Sequence, residues 1–214
     1  MRFQASVLFL AILVPIGYSF YQAYTKKMDT PKPSKEELKQ KWMDLSKKVG
    51  YEGSALLVQS LQHRLLFLLS EKDGRKQAEI CGGKPEEQDR GIAQRTALRE
   101  LEEEAGVILW LNDIRDAPPL KTTGGTTGMH SLQYVSKQLL SEELVVQPKE
   151  HFTGYAWSYV YRGDETCESK WYIKMDQTFV PLRKFNHYVF DQHEKELEIF
   201  IAEEVVTSVS SRRA

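Results

Sequence analysis

Apolar positions along this chain follow three different rhythms. Short apolar runs at 55–58 and 64–69, separated by a polar turn, predict a β-hairpin. Asp73-Gly74 marks the next turn, and 77–80 reads as a short strand leading into Gly82 and Gly83. Further strands are expected at 107–111, 131–137, 155–161 and 170–175, which are rich in Tyr, Trp and β-branched residues. A helical rhythm takes over at 34–48, where Ser34 and Glu37 resemble a capping box and Trp42 and Leu45 face the domain. It returns at 194–206, where Leu197, Phe200 and Ile201 suggest an amphipathic helix closing the fold. Helices before, between and after strands imply a mixed sheet with helical cover, an α/β class.

The third helical stretch carries the chemistry. It starts near Gly91 or Ile92 and stops at Gly106, a C′ glycine. Ala97, Leu98, Leu101 and Ala105 form its apolar stripe. At about 100° per residue, Glu100, Glu103 and Glu104 share an adjoining arc of roughly 100°, while Glu102 points to solvent. Three carboxylates on one helix face repel one another unless a cation sits among them. Oxygen-only donors suit a hard divalent ion, Mg²⁺ or Mn²⁺. The plain alternative is a solvated acidic helix with Arg99 paired to Glu103. Upstream, the Cys81-Gly82-Gly83-Lys84 loop lets backbone carbonyls, Gly83 among them, approach the same ion.

Arg99-Glu100-Leu101-Glu102-Glu103-Glu104-Ala105-Gly106-Val107 resembles the second half of the Nudix hydrolase signature, G-x5-E-x7-R-E-U-x-E-E-x-G-U with U aliphatic, at every defined position. The first half departs from it: the pattern puts thirteen residues between its glycine and arginine, and fifteen lie between Gly83 and Arg99. Counted back from Arg99, the pattern's first glutamate falls on Gly91, which has no side chain to ligate with. Asp89 or Glu87 are the acidic substitutes, and Asp89 has a second reading as a helix N-cap. The resemblance implies a Nudix-type α/β/α sandwich with a mixed sheet over 51–214. It also implies hydrolysis of a diphosphate linked to another group. Glu100, Glu103 and Glu104 would then be metal ligands or the general base, and Arg99 their buttress. Lys84 is a candidate for substrate phosphate. One later acidic residue, Glu142, Glu143 or Glu150, is expected to join the site.

Residues 3–24 carry no charge, and about 20 such residues span a bilayer. Tyr18, Tyr21 and Tyr24 suit the interface, and Lys26, Lys27, Lys32 and Lys35 follow. Residues 1–25 are therefore expected to be a transmembrane helix with the catalytic domain facing the cytosol, and 26–50 a tether and short helix. The alternative is a cleaved signal segment, with Gly17 and Ser19 near the cleavage point, giving a secreted or organellar protein.

The remaining composition narrows the function. A net charge of −1 gives no bulk attraction to nucleic acid, which disfavours capped or triphosphate-ended RNA as substrate. Two cysteines, Cys81 and Cys167, make neither a zinc motif nor a disulfide scaffold. The five histidines show no ligand spacing, and no Ser/His/Asp arrangement stands out. Thr122 to Gly128 lacks P-loop spacing and reads as a mobile loop. Trp157, Tyr159, Tyr161, Trp171 and Tyr172 are core candidates, any one of which can alternatively stack on a nucleobase. The expected substrate is a small nucleotide derivative. A catalytically weak Nudix-fold binding module is the competing reading.

Overall fold

The structure, a computed structural model, describes residues 33–124, 128–149 and 151–208 of the 214. The expected membrane segment and most of the tether lie outside the described residues. Among those described, no helix is long and apolar enough to cross a membrane. The chain divides into two units, Met1–Gln40 and Lys41–Ala214. Helix α1 (Lys35–Val49) begins in the first, where Ser34 and Glu37 form the expected reciprocal cap. The Ser34 N–H donates to Glu37 Oε2 at 2.7 Å, and the Glu37 N–H donates to Ser34 Oγ at 3.1 Å. Midway along it, Trp42 donates its indole N–H to the Glu52 carbonyl.

Strands β1 (Gly53–Leu57), β2 (Leu65–Lys72), β3 (Arg75–Glu79) and β4 (Gly82–Gly83) precede helix α2 (Ala93–Ala105). Strands β5 (Leu120–Thr122), β6 (Ser131–Val135), β7 (Phe152–Ser158), β8 (Val160–Gly163), β9 (Trp171–Met175) and β10 (Thr178–Pro181) follow. Helix α3 (Lys184–Gln192) and strand β11 (Ile201–Val206) complete the chain order. The one mixed sheet expected is divided among three hydrogen-bonded sheets, ordered β4-β1-β6-β5, β3-β2-β7 and β10-β9-β8-β11. Parallel pairs occur at β1/β6 and β8/β11. The result is a mixed α/β fold whose described residues form two large apolar clusters and a small one of Tyr172, Phe179 and Val206.

The period of two along a strand decides which cluster each residue joins. Leu56, Val58, Leu66 and Leu68 pack with Ala97, Leu101 and Ala105 of α2. Leu57, Leu65, Phe67 and Leu69 pack on the other side with Val189 and Phe190 of α3 and with Trp171 and Ile173. Strands apolar on both faces are what a twice-covered sheet requires. Asp73 and Gly74, both at positive φ, join β2 to β3 in the two-residue hairpin that Asp-Gly favours.

Four expectations are corrected. The hairpin expected between 55–58 and 64–69 forms only at its turn end, where Ser60 donates to the Arg64 carbonyl, Gln59 bridges Leu65 and Leu66 donates to the Val58 carbonyl; β1 and β2 otherwise belong to different sheets. Residues 107–110 bury Val107 and Leu109 and expose Ile108 and Trp110, so the alternation is real, yet among the described residues they join no ladder. The closing helix is Lys184–Gln192, not 194–206. Leu197 and Phe200 are buried around a 3-10 turn, and 201–206 is a strand beside β8. Residues 155–161 are two strands broken at Tyr159.

Candidate active site

Strand β4 is two glycines because side chains would not fit there. It pairs with Ser54 and Ala55 of β1. A Cβ on Gly82 would lie 2.5 Å from Ala55 Cβ, and one on Gly83 would lie 2.3 Å from Glu100 Cδ. The backbone is wedged between β1 and the glutamates, and the Gly82 N–H donates to Glu104 Oε2 at 3.0 Å. A 3-10 turn at Glu87–Asp89 follows, then Arg90 and Gly91, both left-handed at φ 54° and 72°. Helix α2 starts at Ala93 with Ile92 as its uncapped N-cap residue. It presses Ala93, Thr96, Ala97, Leu101 and Ala105 inward and stops at Gly106, whose positive φ permits the C-cap.

Arg99 holds the acidic groups together. Its Nη1 reaches Glu100 Oε1 at 2.9 Å and Glu103 Oε2 at 2.8 Å; its Nε donates to Asp89 Oδ1 at 3.0 Å. Its Nη2 donates to the Lys84 carbonyl at 2.8 Å and to Asp89 Oδ2 at 3.2 Å. Burial works against the charge on Arg99, but the hydrogen bonds to Asp89 and the fields of Glu100 and Asp89 win and hold it protonated. Burial also works to raise Asp89, and here the bonds from Arg99, the Glu86 N–H and Thr96 keep the carboxyl below its usual range. Glu100 goes the other way: burial pushes its carboxyl up despite Arg99.

The expected residues thus come together in part. Glu100, Glu103, Glu104, Arg99 and Gly83 form one neighbourhood. Asp89 is neither the N-cap of α2 nor solvated, because it is buried and turned onto Arg99. Of the two acidic substitutes expected, Asp89 is the one turned onto Arg99, while Glu87 is exposed and pairs with Lys41. Lys84 lays its ammonium 4.0 Å from the centre of the Trp42 ring instead of extending freely. Glu142 is held elsewhere, accepting from Ser60 Oγ at 2.6 Å and pairing with Arg64. Glu143 is exposed, and Glu150 lies outside the described residues. Thr123 bonds to Gln192, while residues 125–127 of the glycine-threonine loop are outside the described set. Trp171 and Tyr172 are buried core residues.

The donor chemistry fits a hard divalent cation, since Glu100, Glu103, Glu104 and the Gly83 carbonyl supply only oxygen. Among the described residues, however, no group of three or more His, Cys, Asp or Glu stands ready-made around one point. Glu100 and Glu103 turn to Arg99, and Glu104 to the Gly82 N–H.

Other chemistry is weaker. Ser169 Oγ lies 3.0 Å from His187 Nε2, near Asp191, which superficially resembles a nucleophilic triad. Yet Nε2 also faces the Leu182 carbonyl at 2.8 Å, so it carries the proton and cannot take one from serine. Both cysteines are free, and burial pushes the Cys81 thiol up, away from reactivity.

A family model described as the NUDIX domain matches residues 52–162, slightly over half of the chain. The chain belongs to the Nudix hydrolase family. Among curated proteins the chain finds no match. Among solved structures, it is similar to a MutT/nudix family protein from Enterococcus faecalis at 11% identity and a TM-score of 0.47, covering 84% of this chain and 69% of that one. It is similar to the MutT protein from Methanosarcina mazei Go1 at 14% identity and a TM-score of 0.43, covering 68% and 94%. The NUDIX domain of Shewanella oneidensis NrtR, solved with ADP ribose, aligns at 15% identity and a TM-score of 0.38, covering 50% and 71%.

Proposed function

We propose that this chain is a divalent-metal-dependent pyrophosphohydrolase that cleaves a nucleoside diphosphate linked to a second group. The observation that carries the reading is the half-buried junction where Gly82 and Gly83 press on Glu100 and Glu104 beside Arg99. A diphosphate is polyanionic, so water attack on it is repelled until its oxygens are neutralised. Mg²⁺ or Mn²⁺, when bound, supplies that neutralisation and makes water more acidic. Glu103 and Glu104 are the residues that would hold the ion, with the Gly83 carbonyl beside them. Glu100, whose burial raises its proton affinity, is suited either to accept the proton of the attacking water or to serve as a third ligand. Arg99 fixes the carboxylates rather than reacting. Lys84, if it leaves Trp42, adds a cation for substrate phosphate.

A binding module without turnover is the second reading. It is favoured by one observation, that Glu100 and Glu103 are already engaged by Arg99. The test is incubation of the full chain, in detergent, with a panel of nucleoside diphosphate derivatives with and without Mg²⁺. Mg²⁺-dependent turnover that vanishes in Glu104→Gln supports the enzyme, because the glutamine oxygen still accepts from Gly82. Binding without turnover, unchanged by that substitution, supports the module.

We also propose that residues 1–25 anchor the protein in a membrane, with the domain from residue 51 on the cytosolic side; the uncharged 3–24 run and the lysines after it support this. Protease protection on membranes tests it. Loss of the first ~20 residues from the mature protein would replace the anchor with a cleaved signal.

A further inference from the structure

Counted forward from Gly83 rather than back from Arg99, the irregular signature takes on a different form. Five residues, 84–88, separate Gly83 from Asp89, the same x5 interval that the family pattern places between its glycine and first glutamate. The extra length therefore falls after Asp89. Asp89 stands ten residues before Arg99 where the pattern has eight, and the two-residue excess coincides with Arg90 and Gly91. Both of these adopt left-handed φ, 54° and 72°, immediately before the helix starts. Two successive left-handed residues fold the chain back on itself instead of extending it. The excess is absorbed there, and the acidic side chain is returned to the helix.

We propose that Asp89 is a positioning residue of the glutamate site, supplying across this two-residue excess the acidic partner of Arg99. Asp89 is 2% exposed. Oδ1 accepts from Arg99 Nε at 3.0 Å; Oδ2 accepts from Arg99 Nη2 at 3.2 Å, from Thr96 Oγ1 at 2.8 Å and from the Glu86 N–H at 2.8 Å. A forked carboxylate–guanidinium pair fixes the plane of the arginine as well as its place. With Nε and Nη2 fixed, Nη1 is presented to Glu100 and Glu103. Asp89 touches neither glutamate; it acts on them through Arg99. Thr96, on α2 itself, fastens Asp89 to the same helix and thereby sets the loop against the glutamates.

This inference rests on the metal-dependent reading, so its test uses measurements that separate the two. Mn²⁺ binding to the full chain is followed by electron paramagnetic resonance in wild type, Asp89→Asn, Asp89→Glu and Arg99→Lys, and thermal midpoints are measured alongside. The Arg99 Nε–H is followed by NMR in wild type and the two Asp89 variants. The expected result is that Asp89→Asn, which keeps an acceptor but loses the charge, weakens Mn²⁺ by about 10- to 100-fold and lowers kcat more than it changes KM. The Arg99 Nε–H then shifts and exchanges faster, and adding Asp89→Asn to Arg99→Lys costs little more. Unchanged Mn²⁺ affinity together with an unchanged Arg99 Nε–H would overturn the role of Asp89, as would fully additive losses in the double variant. Absence of Mn²⁺ binding in wild type, with the Arg99 signal still sensitive to Asp89, would overturn the metal reading and the positioning of a metal site together, leaving Asp89 a purely structural clamp.

Discussion

Replacing Gly83 by alanine separates the site from the fold. The new Cβ would lie 2.3 Å from Glu100 Cδ and Oε1, whereas ordinary contact begins near 3.4 Å. Glu100 must therefore move its carboxyl by about 1.1 Å, the difference between those two distances. Only the end of a flexible side chain is displaced, so stability should change by about 1 kcal/mol or less, a shift of roughly 2–4 °C in Tm for a chain of this size. A misplacement of ~1 Å at a reacting group costs on the order of 100-fold in rate, or about 2.7 kcal/mol in the barrier. Gly82→Ala is the control. Its Cβ meets Ala55 Cα and the Ser54 carbonyl at 2.8 Å, which are backbone atoms that cannot step aside. That variant should lose about 1–3 kcal/mol of stability. The assay is phosphate release in the presence of Mg²⁺ paired with scanning fluorimetry. Gly83→Ala retaining activity within about threefold of wild type, or losing it only in proportion to a large fall in Tm, would refute the reasoning.

Arg99→Ala should destabilise by about 3–5 kcal/mol, because it strands the buried Asp89 without its partner; chemical denaturation measures this. Leu101→Ala, at a side chain with no exposed surface between α2 and the strands, should cost about 2–5 kcal/mol by the same measurement while leaving the acidic face in place. Burial holds the His187 imidazole below its ordinary value, so the folded state binds fewer protons than the unfolded one. That contribution to stability is present above the unfolded pKa near 6.5 and is lost as pH falls through and below it. Denaturation midpoints between about pH 7.5 and 5.5 should therefore fall less steeply in His187→Gln than in wild type; equal slopes would contradict this.

The parts of the fold that could be read from sequence are those where one physical requirement dominates. The 64–69 run is apolar at successive positions because both faces of β2 are covered, and it read correctly as a strand. The glutamate helix was legible because charge and apolar stripe share one period, and Gly106 stops it. Residues 107–110 misled because alternating burial does not require a ladder partner. Leu197, Phe200 and Ile201 misled because their helical spacing is equally satisfied by a 3-10 turn running into a strand. Helix α3 was missed behind Pro181, where Phe185, Val189 and Phe190 carry the inward face amid polar residues. Within the site, the glutamates and Arg99 could be named from their spacing, and Asp89 only as one of two acidic substitutes beside Glu87. Its position depends on the left-handed turn at Arg90 and Gly91, which a count along the chain does not reveal. The separation of Glu142 from the glutamates has a similar origin, since its partners Ser60 and Arg64 are distant in sequence.

Calorimetric titration of Mg²⁺ into the full chain, beside Glu104→Gln, puts the most direct question to the glutamate site. The account predicts saturable binding by wild type at millimolar or lower Mg²⁺, weakened about 10-fold or more in the variant with its fold intact. No binding by wild type, or equal binding by both proteins, would contradict it.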